Sequence, residues 1–170
     1  NKIFFKNLDT EFAVLTSGVA ATHVLEALEI LGLKIPVFKL GLSYPLPERA
    51  LEDFVSRFGT IIVAEELEPI LENEVRRIAK DVNPKLEIIG KNALPLSGEY
   101  NPNDFIALFA DLAGVRPPID LNKHEKRYDS MVFAKRRPVL CPGCQHRASF
   151  YAVKKAVGKA VYAGDIGCYT

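Results

Sequence analysis

Thr60-Ile61-Ile62-Val63-Ala64, a threonine and four apolar residues followed by the acidic pair Glu65-Glu66, decides the fold. Its β-branched residues favour extended backbone. After it, Leu71, Val75, Ile78 and Val82 recur at spacings of 4, 3 and 4, one face of a helix, until Asn83-Pro84 stops the pattern. A strand apolar throughout and followed directly by an amphipathic helix is the repeating unit of a parallel sheet covered on both faces.

The same alternation runs outward. Toward the N-terminus, Phe12-Ala13-Val14-Leu15 reads as a strand, and Ala21, Val24, Leu25, Leu28 and Leu31 as a helix that ends at Gly32. Residues 36–40 form the next strand, and Leu51, Phe54, Val55 and Phe58 one helix face. Toward the C-terminus, Leu86-Glu87-Ile88-Ile89 reads as a fourth strand and Phe105, Leu108, Phe109 and Leu112 as a further helix. Residues 1–114 are therefore expected to form one α/β domain, with the repeating pattern occupying 10–114. Pro117-Pro118 breaks the pattern, and residues 115–137, basic and polar and including His124, read as a charged linker. A second unit is expected over 138–170, with a helix from about Arg147 to Val157 and a strand at Ala160-Val161-Tyr162-Ala163. One helix and one strand cannot cover a sheet, so this unit reads as incomplete. A first residue other than Met also suits a piece of a longer chain.

Composition narrows the function. The net charge of +1 gives no global field for nucleic acid or membrane. No apolar run approaches the roughly 18 residues that read as a membrane span, and no signal-peptide pattern is present. The three cysteines, Cys141, Cys144 and Cys168, cluster near the C-terminal end. An odd, clustered set suits reduced thiols in a cytoplasmic setting better than a disulfide framework.

Cys141-Pro142-Gly143-Cys144, with Cys168 following after 23 residues, is the strongest chemical signal. The spacing can aim two thiolates at one metal centre. By spacing alone several readings stay open: incidental loop cysteines, a zinc site completed by His146, an iron–sulfur cluster, or a redox thiol pair. His146 could also face a cofactor as a donor or proton-transfer group. Elsewhere, Glu65-Glu66 sits where parallel sheets present ligand-binding loops but reads as a surface or interface pair. Thr16-Ser17-Gly18 reads as a helix cap rather than an anion site, and His23 as a structural helix residue.

Residues 138–147 (Pro-Val-Leu-Cys-Pro-Gly-Cys-Gln-His-Arg) and 163–170 (Ala-Gly-Asp-Ile-Gly-Cys-Tyr-Thr) resemble the start of the thiamine-binding domain in the 2-oxoacid:ferredoxin oxidoreductase family, most of all the large (alpha) subunit of its indolepyruvate branch. Gln145 stands where members of the family carry Pro or Gly. Residues 40–47 (Leu-Gly-Leu-Ser-Tyr-Pro-Leu-Pro) and Glu65-Glu66 are similar to the transketolase C-terminal-like domain that precedes it in these subunits. The resemblance implies an α/β, parallel-sheet transketolase C-terminal-like domain followed by the N-terminal part of a thiamine-diphosphate-binding α/β domain. It implies oxidative decarboxylation of an aryl 2-oxoacid such as indolepyruvate to an acyl-CoA, with electrons passed to ferredoxin. The implied cofactors are thiamine diphosphate, Mg²⁺ and a [4Fe–4S] cluster, and the implied partners a small (beta) subunit, ferredoxin, coenzyme A and the 2-oxoacid. Cys141, Cys144 and Cys168 carry over as cluster ligands, and His146, Gly167 and Cys168 as cofactor-facing residues. The activating glutamate and the Mg²⁺–diphosphate segment belong to parts of the family subunit outside these 170 residues, so Asp165 is not assigned as a ligand. No catalytic residue is assigned, and the chain by itself is expected to be inactive. The competing reading is a non-enzymatic α/β scaffold or regulatory domain with a zinc-binding tail.

Overall fold

A computed structural model describes residues 1–6, 8, 10–134 and 139–163. The chain divides into two compact units, Asn1–Glu125 and Lys126–Thr170.

The first unit is built on five strands: β1 (Lys2–Phe4), β2 (Phe12–Ser17), β3 (Val37–Leu40), β4 (Thr60–Ala64) and β5 (Glu87–Ile89). Between and after them come α1 (Ala20–Leu31), α2 (Glu48–Val55), α3 (Ile70–Val82) and α4 (Pro102–Ala113). The sheet order is β1-β3-β2-β4-β5. Strands β3, β2, β4 and β5 run parallel, with Leu15 opposite Phe38 and Val63 across its two pairings. This is the expected parallel α/β sheet, with β4 on its expected residues. The chain adds one element that the pattern did not suggest: β1 pairs antiparallel to β3, with Ile3 opposite Phe38. Three residues at a sheet edge carry too little periodicity to announce a strand.

Strand alternation divides the core in two. Val14, Val37, Ile62 and Ile89 turn to one face, where they meet Val24 and Leu28 of α1 and Phe105, Ile106 and Phe109 of α4. Leu15, Phe38, Leu40, Ile61 and Val63 turn to the other, where Leu51 and Phe54 of α2 and Val75 and Ile78 of α3 cover them. Each fully buried side chain of this size contributes about 1.5–3 kcal/mol, so both layers resist removal. Phe38 and Phe54 meet edge to face with ring centroids 5.2 Å apart.

Polar caps fix the helix ends. Asn101 accepts from the Asn103 N–H at 2.9 Å and Asp104 accepts from the Asn101 N–H at 2.8 Å, a reciprocal box that starts α4. Asn83, the expected stop of α3, also donates from Nδ2 to the carbonyls of Val55 and Phe58 at 3.0 and 2.9 Å, joining the ends of α2 and α3. The expected cap of α1 is corrected. Its N-cap is Val19, with no side-chain bond, because Thr16 and Ser17 are still engaged in β2. The Thr16 hydroxyl is buried without a hydrogen-bond partner among the described residues. His23 lies in α1, as expected, and its Nδ1 is likewise buried and unpartnered there.

The stretch read as a linker contains a helix, α5 (Leu121–Asp129), which is polar along its length. The second unit contains α6 (Gln145–Val157), ending at Gly158, with no buried residue. The strand expected at 160–163 does not form. A parallel strand needs a neighbour to satisfy its backbone groups, and no described residue after Glu125 joins the sheet.

Candidate functional site

The chain leaves β2 for β3 on one side and then crosses to β4 on the other. The loops after β2 and β4 therefore diverge at the C-terminal edge of the sheet, where open α/β sheets hold their ligands. A cleft of about 1330 Å³ lies there, between the end of β2 with residues 18–19, the loop 43–47 with the first turn of α2, and the segment from Glu65 into α3.

Glu65 organises its floor. Its carboxylate oxygens accept the backbone N–H groups of Leu71 and Glu72, each at 2.7 Å, satisfying two of the open donors at the start of α3. Burial raises its pKa above the usual carboxylate range, and the two N–H donors pull it partly back. The expected surface role is thus overturned for Glu65, which is only 7% exposed. Glu66 accepts the Tyr100 N–H at 3.1 Å.

Behind the loop, Lys91 donates to the Glu65 carbonyl, to the Pro95 carbonyl at 3.0 Å and to the Tyr100 hydroxyl at 2.6 Å. Burial lowers the pKa of this ammonium, opposed by the carboxylates of Glu65 and Glu72. The Tyr100 phenol is pushed up by burial and by nearby carboxylates, Glu65 foremost. All three Lys91 protons have acceptors, so the side chain fastens the loop instead of reacting. Lys91, Tyr100 and Glu72 carry no motif, and sequence reasoning did not find them.

In the second unit, the Cys144 N–H donates to the Cys141 carbonyl at 3.1 Å, closing the turn through Gly143 at φ +75°. Cys144 is the N-cap residue of α6, without a side-chain capping bond, and its Sγ lies 3.6 Å from His146 Nδ1. Cys141 is exposed and Cys144 half-buried, and both are free thiols. The turn suits two neighbouring ligands of one anionic centre, since a helix start presents N–H groups to negative charge. Among the described residues no group of three or more His, Cys, Asp or Glu side chains converges to hold a metal. Gly167 and Cys168 lie outside the described residues. The cleft at the sheet edge does not suit a diphosphate: five glutamates and a single basic residue, Arg49, line it.

Comparison with known proteins gives the chain its relatives. No family profile matches it. Proteins named indolepyruvate oxidoreductase subunit IorA match it nearly end to end. The protein from Methanothermobacter thermautotrophicus is 38% identical over 179 residues, covering 100% of this chain and 28% of the relative. Those from Archaeoglobus fulgidus and Thermococcus kodakarensis are 38% and 35% identical, each covering 95% of this chain and 26% of the relative. Over nearly its whole length the chain is similar to one stretch of these IorA subunits.

It spans about a quarter of the length of these IorA relatives. The matched stretch takes in both the sheet unit and the Cys-Pro-Gly-Cys turn, in one order. Among solved structures, a split-gene transketolase in its inactive β4 tetramer is similar at 18% identity with a TM-score of 0.45, over 64% of this chain and 37% of that one. No described helix of this chain is long and apolar enough to cross a membrane.

Proposed function

We propose that this chain is part of the large subunit of a thiamine-diphosphate-dependent oxidoreductase that converts an aryl 2-oxoacid, indolepyruvate by analogy with the relatives' name, to an acyl-CoA and reduces ferredoxin. The observation that carries this reading is the match of 95–100% of the chain, both units included, to subunits named for indolepyruvate oxidation. The sheet unit serves as an architectural domain. Cys141 and Cys144 supply two thiolates from one turn, Cys168 a third, and the fourth cluster ligand comes from elsewhere in the subunit. These thiolates would hold a [4Fe–4S] cluster, which would supply one-electron acceptance. His146, beside Cys144, and Gly167, beside Cys168, face the cofactor side. Thiamine diphosphate and Mg²⁺ are bound by other segments of the subunit, and the small (beta) subunit, coenzyme A and ferredoxin complete a cytoplasmic assembly.

The test is an anaerobic purification of the full-length subunit with its small subunit, followed by iron, sulfide and zinc analysis of wild type and Cys168→Ala. Loss of iron and sulfide with thiamine binding preserved supports the reading. Unchanged iron together with unchanged ferredoxin reduction would refute the ligand assignment. Zinc without sulfide would favour a non-enzymatic scaffold with a zinc-binding tail.

A further inference from the structure

The cleft at the sheet edge is not accounted for by the chemistry above. Its position is the usual one for a small ligand, yet its lining is wrong for the anions that the proposed reaction uses. Among its lining acids, Glu48 and Glu74 share Arg77 and Glu65 is bound to the start of α3, which leaves Glu66 and Glu68 with Arg49, a net negative balance that disfavours carboxylates, diphosphates and coenzyme A. Between these acids the surface is apolar and open to solvent. Tyr44 is 85% exposed, Ile70 71%, Leu67 58% and Val19 53%. Large aliphatic and aromatic side chains gathered in one cleft and rimmed by charge mark a surface that another molecule covers.

The backbone supports the same conclusion. Leu67 has φ +59°, a region that costs a residue with a Cβ roughly 1–2 kcal/mol. The strain is held in place on both sides. Glu65 is fastened to the start of α3 and to Lys91, Glu66 to Tyr100, and the Ile70 N–H to the Glu68 carbonyl at 2.8 Å. The loop is thus prevented from turning Leu67 inward, and a rigid apolar anchor is what a docking surface needs. Strain of this kind clusters where side chains are presented for function.

We infer that this cleft is a protein-docking surface, and that its occupant is an apolar polypeptide segment flanked by lysine or arginine. Tyr44, Leu67 and Ile70 supply the apolar contact, and the exposed Glu68 with Glu66 supplies the charge that selects a basic partner. Rim charges of this sort act on encounter and specificity, and the buried apolar anchors on affinity. This inference does not depend on the proposed reaction.

The probe is a short, fluorescently labelled amphipathic helical peptide of leucine and lysine, titrated against the 170-residue chain by anisotropy. Two controls accompany it: a leucine–glutamate peptide of the same pattern, and a serine–lysine peptide of the same charge. The expected result is binding of the leucine–lysine peptide only. Ile70→Asp and Tyr44→Asp should each weaken it at least about tenfold, as loss of an anchor does, and Glu68→Lys should weaken it most at low salt. All three positions are exposed, and far-UV circular dichroism with urea midpoints verifies that each variant is folded. Equal binding of either control peptide, undiminished binding by the variants, or displacement of the peptide by thiamine diphosphate or a 2-oxoacid would overturn the inference.

Discussion

Gly90 stands so close to the Glu72 carboxylate that a Cβ built on it would lie 2.0 Å from Oε2. The carboxylate cannot move aside cheaply. It is 6% exposed at the residue level, accepts from the Arg76 guanidinium at 2.7 and 3.1 Å, and accepts the Lys91 N–H at 2.9 Å. Gly90 is therefore required by contact, and the contact joins the end of β5 to the first turn of α3.

Gly90→Ala should destabilise the sheet unit by roughly 1–3 kcal/mol, the usual cost of overpacking a filled site. Urea unfolding of the chain measures it. A midpoint equal to wild type would show that Glu72 relocates freely and that this contact does not hold α3.

Glu65→Ala should cost about 1–3 kcal/mol at neutral pH, because the Leu71 and Glu72 N–H donors lose their acceptors inside the fold. The pH dependence has a definite sign. Burial raises the folded carboxyl above its ordinary value of 4.5. Just above pH 4.5 the folded state keeps a proton that the unfolded state has released. The stability tied to that proton is complete below pH 4.5 and is lost as pH rises through the folded value. The gap between wild type and Glu65→Ala should therefore be wider at pH 4.5 than at pH 7. Paired urea curves across that range test it, and a gap that widens with pH would contradict the burial argument.

How much of this could be read in the chain itself depends on the range of the interaction. β4 was legible to the residue, because a buried parallel strand is a local apolar run, and much of the buried faces of α1, α3 and α4 followed from spacing, although Val82 is exposed and Ile106 and Ala110, which the spacing did not pick out, are buried. The Glu65 latch was not legible. Lys91, which binds the Glu65 carbonyl, lies 26 residues away, and Tyr100, whose N–H binds the neighbouring Glu66 carboxylate, lies 34 from Glu66; nothing local distinguishes a carboxylate that folds back onto the Leu71 and Glu72 N–H groups from one left in water. The Cys141–Cys144 turn is local and was legible, whereas the expected strand at 160–163 fails because strand formation depends on a neighbour as well as on apolar residues.

Leu67→Gly should leave the chain as stable as wild type or up to about 1 kcal/mol more stable. Removing the Cβ relieves the cost of φ +59°, and the greater freedom of glycine in the unfolded state offsets part of that gain. Little burial is lost, since the side chain is mostly exposed. The same variant should lose affinity for the leucine–lysine peptide. A drop of more than about 1 kcal/mol in urea unfolding would mean that the Leu67 side chain packs into the fold rather than serving the surface.

Limited proteolysis should separate the two units. Every described residue beyond Ala110 is at least partly exposed, and α6 leaves Phe150, Tyr151, Val153 and Val157 largely in solvent. Protection against a protease comes from the free energy of opening a segment, and a segment with few buried apolar contacts opens at little cost. Residues 12–110 instead carry both core layers. In the 170-residue chain, chymotrypsin should therefore cut first after Tyr128 or Phe133, inside the interval 116–138. Phe38, Phe54, Phe105 and Phe109, each 2% exposed or less, should stay intact until global unfolding. Mass spectrometry of a time course reads the order directly. Early cleavage at the core phenylalanines, or equal lifetimes for the two halves, would show that stability is not concentrated in the sheet unit.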